Sequence, residues 1–237
     1  MSDLLDLALD GHGGLDRWQA LKNITATLTA RGALFTAKGH PDGLSTAQAT
    51  AEVTTPRLTF RPFAGAARGL FEPDRVAVTT DDGAERSRDN PRAAMSSLPP
   101  ETPWDDLHLL YFTGYALWNY LCLPFLLTWP GFVVEEISPW TEGSQTWGRL
   151  RVTFPADVPT HGAEQVLYFD DHGLLQRLDY AAEVAGSVPV AHYCDEHREF
   201  SGLMVPTRRR VYARREDGTA NTDVAFVELD ITEVTVS

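Results

Sequence analysis

Lysine is almost absent from this chain. Lys22 and Lys38 are the only two, against 18 arginines. Cysteine is as scarce: Cys122 and Cys194 are too few to staple 237 residues and carry no metal-ligand spacing, so a reducing compartment is the simplest expectation. Positive charge is in deficit, with a net charge of −13. That balance argues against nucleic acid or an anionic membrane surface as a partner. The N-terminus, Met-Ser-Asp-Leu-Leu-Asp, has no basic or long apolar leader, and a cytoplasmic location is expected. There is no phosphate-binding loop and no Gly-x-Ser-x-Gly elbow. Gly11-His12-Gly13-Gly14 has no strand ahead of it, as a dinucleotide fingerprint requires. No cofactor is expected.

A further gap lies inside the chain. From Leu107 to Val134 there is no Asp, Glu, Lys or Arg, and 20 of these 28 residues are apolar or aromatic. The stretch is long enough to span a bilayer. It is nonetheless interrupted by Gly114, Pro124, Pro130 and Gly131 and flanked by acids (Asp105, Asp106, Glu135, Glu136). Those breakers and flanks predict a buried or lid-like helix, broken near Pro124, and no integral membrane span.

The rest of the chain changes period from three-to-four to two. Leu4, Leu5 and Ala8, then Leu15, Trp18 and Leu21, give helical stripes broken by glycines. Ile24, Ala26, Leu28 and Ala30 then alternate with polar residues as a half-buried strand, with Gly32 as a bulge candidate. Strands are expected near 46–54, 57–63, 75–80, 132–137, 147–154, 164–169, 174–184, 190–200, 204–214 and 223–236. In the last, Val227, Leu229 and Ile231 are in phase, but Val234 and Val236 are out of it, which predicts a bulge at Thr232. The reading is one domain over 1–237, mainly β with helices (α+β): an antiparallel meander curved around a helical aromatic insert at 104–130.

Two places could carry function. Five of the six tryptophans lie between Trp104 and Trp147. On a helix His108, Tyr111, Tyr115 and Trp118 share a face. That face is either core packing with satisfied polar tips or, with Trp104 and Tyr180, the lining of a pocket under the insert. The second place is the strand Val190–Phe200, in which neither alternate set is apolar. A turn at Ser201-Gly202 brings Arg208 and Arg210 alongside, opposite either Asp195 and Tyr193 or Glu196 and Cys194. This is either a solvated ion-pair ladder or a buried acid–base group. In the second case His192 or His197 is the acid/base, Asp195 its orienting partner, Tyr193 or Tyr180 a proton donor, and Arg208 or Arg210 an anion stabiliser. Neighbours on one strand face opposite ways, so His192, Cys194, Asp195 and His197 cannot converge on a metal.

The opening helix with Gly13-Gly14-Leu15-Asp16-Arg17-Trp18, the strand from Ile24 and the aromatic insert resemble the LolA/LolB-like superfamily of lipoprotein-carrier half-barrels. So do Asp170-Asp171-His172-Gly173-Leu174-Leu175 and Gly202-Leu203-Met204-Val205-Pro206-Thr207. The resemblance implies a curved antiparallel half-barrel with helices plugging its mouth and a cavity for an acyl chain or similar molecule. The expected function is therefore binding of a hydrophobic or aromatic small molecule or lipid. The alternative is a cofactor-independent isomerase, cyclase or dehydratase acting on such a molecule.

Overall fold

The computed structural model describes residues 3–237. One antiparallel sheet carries thirteen strands. Six precede the insert: β1 (Asn23–Arg31), β2 (Leu44–Glu52), β3 (Leu58–Arg61), β4 (Arg68–Glu72), β5 (Arg75–Thr79) and β6 (Glu85–Asp89). Seven follow it: β7 (Val133–Glu142), β8 (Gln145–Thr153), β9 (Glu164–Phe169), β10 (Leu175–Ala181), β11 (Pro189–Phe200), β12 (Leu203–Arg214) and β13 (Ala220–Val236). Their spatial order is β6-β5-β4-β3-β2-β1-β13-β12-β11-β10-β9-β8-β7. Each group is a hairpin meander, and the two wings meet where β1 pairs with β13. β6 and β7 stay unpaired at the outer edges, so the sheet curves into a half-barrel without closing.

This order explains where the insert must go. β6 and β7 are consecutive in the chain yet lie at opposite edges of the sheet. The connection between them has to cross from one wing to the other, and it crosses through the trough. It carries α4 (Pro91–Ser96) and α5 (Asp106–Cys122). α5 starts at a capping box. The Asp105 carboxylate accepts from the His108 backbone N–H at 2.9 Å, and His108 Nδ1 accepts from the Asp105 N–H at 3.2 Å. It ends before Pro124, as the residue preceding a proline disfavours helix. Two further helices, α1 (Asp3–Gly11) and α2 (Leu15–Gln19), cover the trough near β8 and the end of α5, where Trp18 stacks on Phe125 at 4.5 Å.

The expected alternation in β1 is present: Ile24, Ala26, Leu28 and Ala30 are buried. The bulge falls at Thr232, which the β1–β13 register skips and whose hydroxyl donates to the Thr27 carbonyl at 3.2 Å. Other expectations need correcting. Gly32 is no mid-strand bulge. It ends β1 ahead of a short helix, α3 (Ala33–Ala37), and a Cβ there would lie 2.5 Å from the Phe226 carbonyl oxygen. β4 and β6 were not expected. β6 reads Glu-Arg-Ser-Arg-Asp and has no apolar face because it is an exposed edge strand. The polar connector contains α4, and the strand expected over 174–184 stops at Ala181.

α5 is also not two-sided. Fourteen of its 17 residues are buried, which places protein all round it. Gly114 makes this possible: a Cβ there would stand 2.5 Å from Cβ and Cγ of Phe71. Among the described residues, no helix is long and apolar enough to cross a membrane.

Candidate functional site

The trough opens at one rim into a cleft of about 950 Å³. Its walls are the loops at that end of both wings together with α4 and α5. Tyr111, Trp129, Phe154 and Val158 supply apolar and aromatic surface, and five prolines (56, 73, 130, 155, 159) stiffen the rim. Arg92 on α4 reaches across this mouth. Its guanidinium donates to the Thr160 carbonyl at 2.9 Å and to Glu183 at 2.5 Å, tying the insert to the far wing.

Behind the cleft, a line of polar side chains runs between α5 and the sheet. His161 sits at its head, completely enclosed and stacked on the Tyr180 ring at 4.1 Å. Tyr115 Oη lies 3.0 Å from His161 Nδ1, and Tyr120 Oη lies 2.7 Å from its Nε2. Tyr120 Oη is 3.0 Å from Tyr180 Oη, which is 3.3 Å from His192 Nδ1. His192 Nε2 in turn faces an Arg209 amino group at 3.5 Å. A guanidinium can only donate, and that fixes the direction of the string. His192 accepts from Arg209 at Nε2 and donates from Nδ1–H to Tyr180. Tyr180 donates to Tyr120, Tyr120 to His161 Nε2, and His161 Nδ1–H to Tyr115.

Burial dominates the electrostatics here. Desolvation lowers the His161 pKa to about 3, with Arg92 adding a smaller repulsion, and pushes His192 well below its ordinary value with help from Arg209. Both imidazoles are neutral acceptor–donor pairs at neutral pH. Burial raises the Tyr115, Tyr120 and Tyr180 phenols and takes the Cys194 thiol to about 11. Among the described residues, no three His, Cys, Asp or Glu side chains come together as metal ligands.

The residues singled out by sequence divide by face. Tyr111 lines the cleft. Tyr115 and Tyr180 belong to the buried string. Trp118 is fully enclosed, its indole N–H donating to the Glu52 carbonyl at 2.9 Å. Trp104 packs on Phe112 at 5.0 Å with Lys38 over its ring, and His108 serves as the helix cap. On β11, His192 and Cys194 turn inward. Tyr193 and Asp195 turn outward, opposite Arg210 and Arg208 in the first of the two registers considered.

The expected His–Asp pair therefore does not form. Asp195 is exposed on the convex side, while Arg208 pairs with Glu196 at 3.2 Å and Arg210 with Asp230 at 2.8 Å. His197 breaks the alternation. Glu196 adopts φ 54°, and His197 turns toward His12 (ring centroids 6.4 Å apart) and the Leu175 carbonyl at 3.0 Å. Tyr193 serves a different centre. Its hydroxyl donates to Glu142 at 2.6 Å beside Arg177, which is fully buried and held by Asp179 and Glu142, each at 2.7 Å. That cluster pins the β7–β8 and β12–β13 hairpins onto the convex side of β10.

Sequence reasoning missed His161, Tyr120, Arg209 and Arg92 as site residues. His161 lies in an irregular Pro-Thr-His-Gly loop with no period to read. The inward turn of Arg209, between two arginines that face out, is visible only once the register is known.

No family model and no curated protein matches the sequence. Solved structures do match. A LolA superfamily protein from Nitrosomonas europaea aligns with a TM-score of 0.54 at 11% identity, covering 99% of this chain and 92% of that one. A DUF1329 family protein from Desulfovibrio piger aligns with a TM-score of 0.55, at the same identity and coverage. At this identity the likeness establishes a shared fold.

Proposed function

We propose that the protein binds a hydrophobic or aromatic small molecule or lipid in the trough between the curved sheet and α5, with the cleft beneath Arg92 as its mouth. The observation that carries this reading is the cleft of about 950 Å³. It has the size of a small-molecule site, with apolar and aromatic surface from Tyr111, Trp129, Phe154 and Val158, a rim held rigid by proline, and polar groups at its edge that include Asp74, Arg92, Asp157 and Glu183. The half-barrel shared with a LolA superfamily protein supports the same reading. α5 acts as the plug. It has no charged side chain beyond Asp106 and is gripped on every side, so a ligand that lifts it exchanges one apolar contact for another.

The test is direct titration. The purified protein is stripped with organic solvent and titrated with fatty acids and polycyclic probes, following tryptophan fluorescence. Saturable binding is expected. Trp129→Ala, at the cleft wall, should weaken it about tenfold, as loss of a buried aromatic anchor does. Trp140→Ala on the convex side should leave it unchanged. Absence of saturable binding to the wild type refutes the proposal.

A further inference from the structure

Among the described residues, three cationic side chains other than histidine are buried: Lys38, Arg177 and Arg209. Lys38 donates to the Pro100 and Thr102 carbonyls at the surface end of the connector. Arg177 is fully buried and has two carboxylates. Arg209 is 2% exposed, and no carboxylate among the described residues pairs with it. Its partners are the Cys194 thiol at 3.1 Å, the Tyr120 carbonyl at 3.2 Å and His192 at 3.5 Å, with the Tyr120 ring under its guanidinium at 4.9 Å. Its Nε–H is buried with no acceptor.

An arginine stays charged, and an uncompensated charge in a protein interior is costly. The chain has 33 acidic residues, and it still leaves this one interior cation without any. The neighbouring titratable groups do not supply the missing charge. Burial and Arg209 itself keep His12, His192 and His197 neutral, and the Cys194 thiol is protonated at neutral pH.

The position is equally informative. Tyr120 joins Arg209 to His161, and it also lines an apolar slot. Trp18, Ile24, Leu121, Phe125 and Val205 wall this slot, whose free space is about 10 Å³, room for one water. Arg209 reaches from β12 to the Tyr120 carbonyl of α5, so the cation lies between the sheet and the helix that covers it. We propose that Arg209 seats the anionic head group of the ligand, and that the molecule bound in the trough is an amphiphile ending in a carboxylate. Two parallel N–H donors, one of them the unused Nε–H, face such a head, which takes the place of the weak thiol and carbonyl contacts. The inference rests on the trough being a ligand site and names the polar end of what it holds.

Three probes of equal chain length separate the possibilities: hexadecanoate, hexadecanol and hexadecylamine, titrated into the stripped protein. The carboxylate should bind about tenfold or more tightly than the alcohol, the usual worth of a charged hydrogen bond, and the amine most weakly. Arg209→Met should still bind the alcohol but lose the preference for the acid. Equal affinity for acid and alcohol in the wild type, or an unchanged preference in Arg209→Met, overturns the inference and leaves the hydrophobic site standing. Failure of all three to bind removes the site and the inference together. Should the variant not fold, the wild-type order of the three probes decides alone.

Discussion

Replacing His161 with glutamine should flatten the acid dependence of stability. In the native state His161 is fully enclosed between two phenols and titrates at about 3, whereas an unfolded histidine titrates near 6.5. Between those values the unfolded chain binds a proton that the folded chain refuses. Stability is therefore fully present above pH 6.5 and falls as the pH drops toward 3. One such group removes about 2 kcal/mol between pH 7 and pH 5, a large share of a stability of roughly 5–15 kcal/mol. His12 (about 4) and His192 shift in the same direction, so the wild type should lose stability steeply over this range. Glutamine cannot titrate there. Urea unfolding at pH 8, 7, 6 and 5, read by tryptophan fluorescence, gives the two slopes. The variant starts lower because its hydrogen bonds to Tyr115 and Tyr120 are imperfect, yet it should lose about 2 kcal/mol less than wild type between pH 7 and 5. Parallel curves would show that His161 is protonated in the folded protein or open to water, and would refute the reasoning.

Other outcomes follow from the same geometry. Gly114→Ala drives a methyl into Phe71, and the overpacking, about 1–3 kcal/mol, should exceed the helix-propensity gain of about 1 kcal/mol, lowering the thermal midpoint. Asp179→Ala removes one of the two carboxylates holding the buried Arg177 and should cost about 3–5 kcal/mol in denaturant unfolding, the usual penalty for breaking a buried pair. Arg92→Ala breaks a half-exposed pair and should change global stability by less than about 1 kcal/mol. The same change frees α4 from the far wing, so hydrogen exchange should quicken in 91–96 more than elsewhere.

The architecture was legible where burial leaves a period. β1 alternates cleanly because one of its faces meets the core, and the phase slip at Thr232 showed itself because apolar residues stand on both sides of it. β6 was invisible because an exposed edge has nothing apolar to repeat. The charged strand β11 was read as meeting either water or a polar cavity. Both occur: its outer side meets ion pairs, and His192 joins an interior polar string. What the pattern could not show was the company His192 keeps. His161 comes from a loop, and Arg209 from a run of three arginines whose orientation depends on a register fixed across four strands. The Asp195 pairing failed for a related reason. Residues three apart on a strand face opposite ways, and the left-handed Glu196 turns His197 inward without Asp195.

The middle of the sheet is joined by its first and last strands in sequence, β1 and β13. On a ribosome, β1 is made long before its partner β13, with eleven other strands between them, so the central ladder stays half-built until β13 emerges. Until then β1 shows a bare edge of Thr-Ala-Thr-Leu-Thr-Ala with no charge to guard it, and partners from other nascent chains compete for it. The permanent borders carry the opposite character, with Glu85, Arg86, Arg88 and Asp89 on one and Glu135, Glu136 and Pro139 on the other. A circular permutant opened between β6 and α4, with residues 237 and 3 linked, would translate β1 soon after β13, with only the linker, α1 and α2 between them, and should yield more soluble protein at high expression.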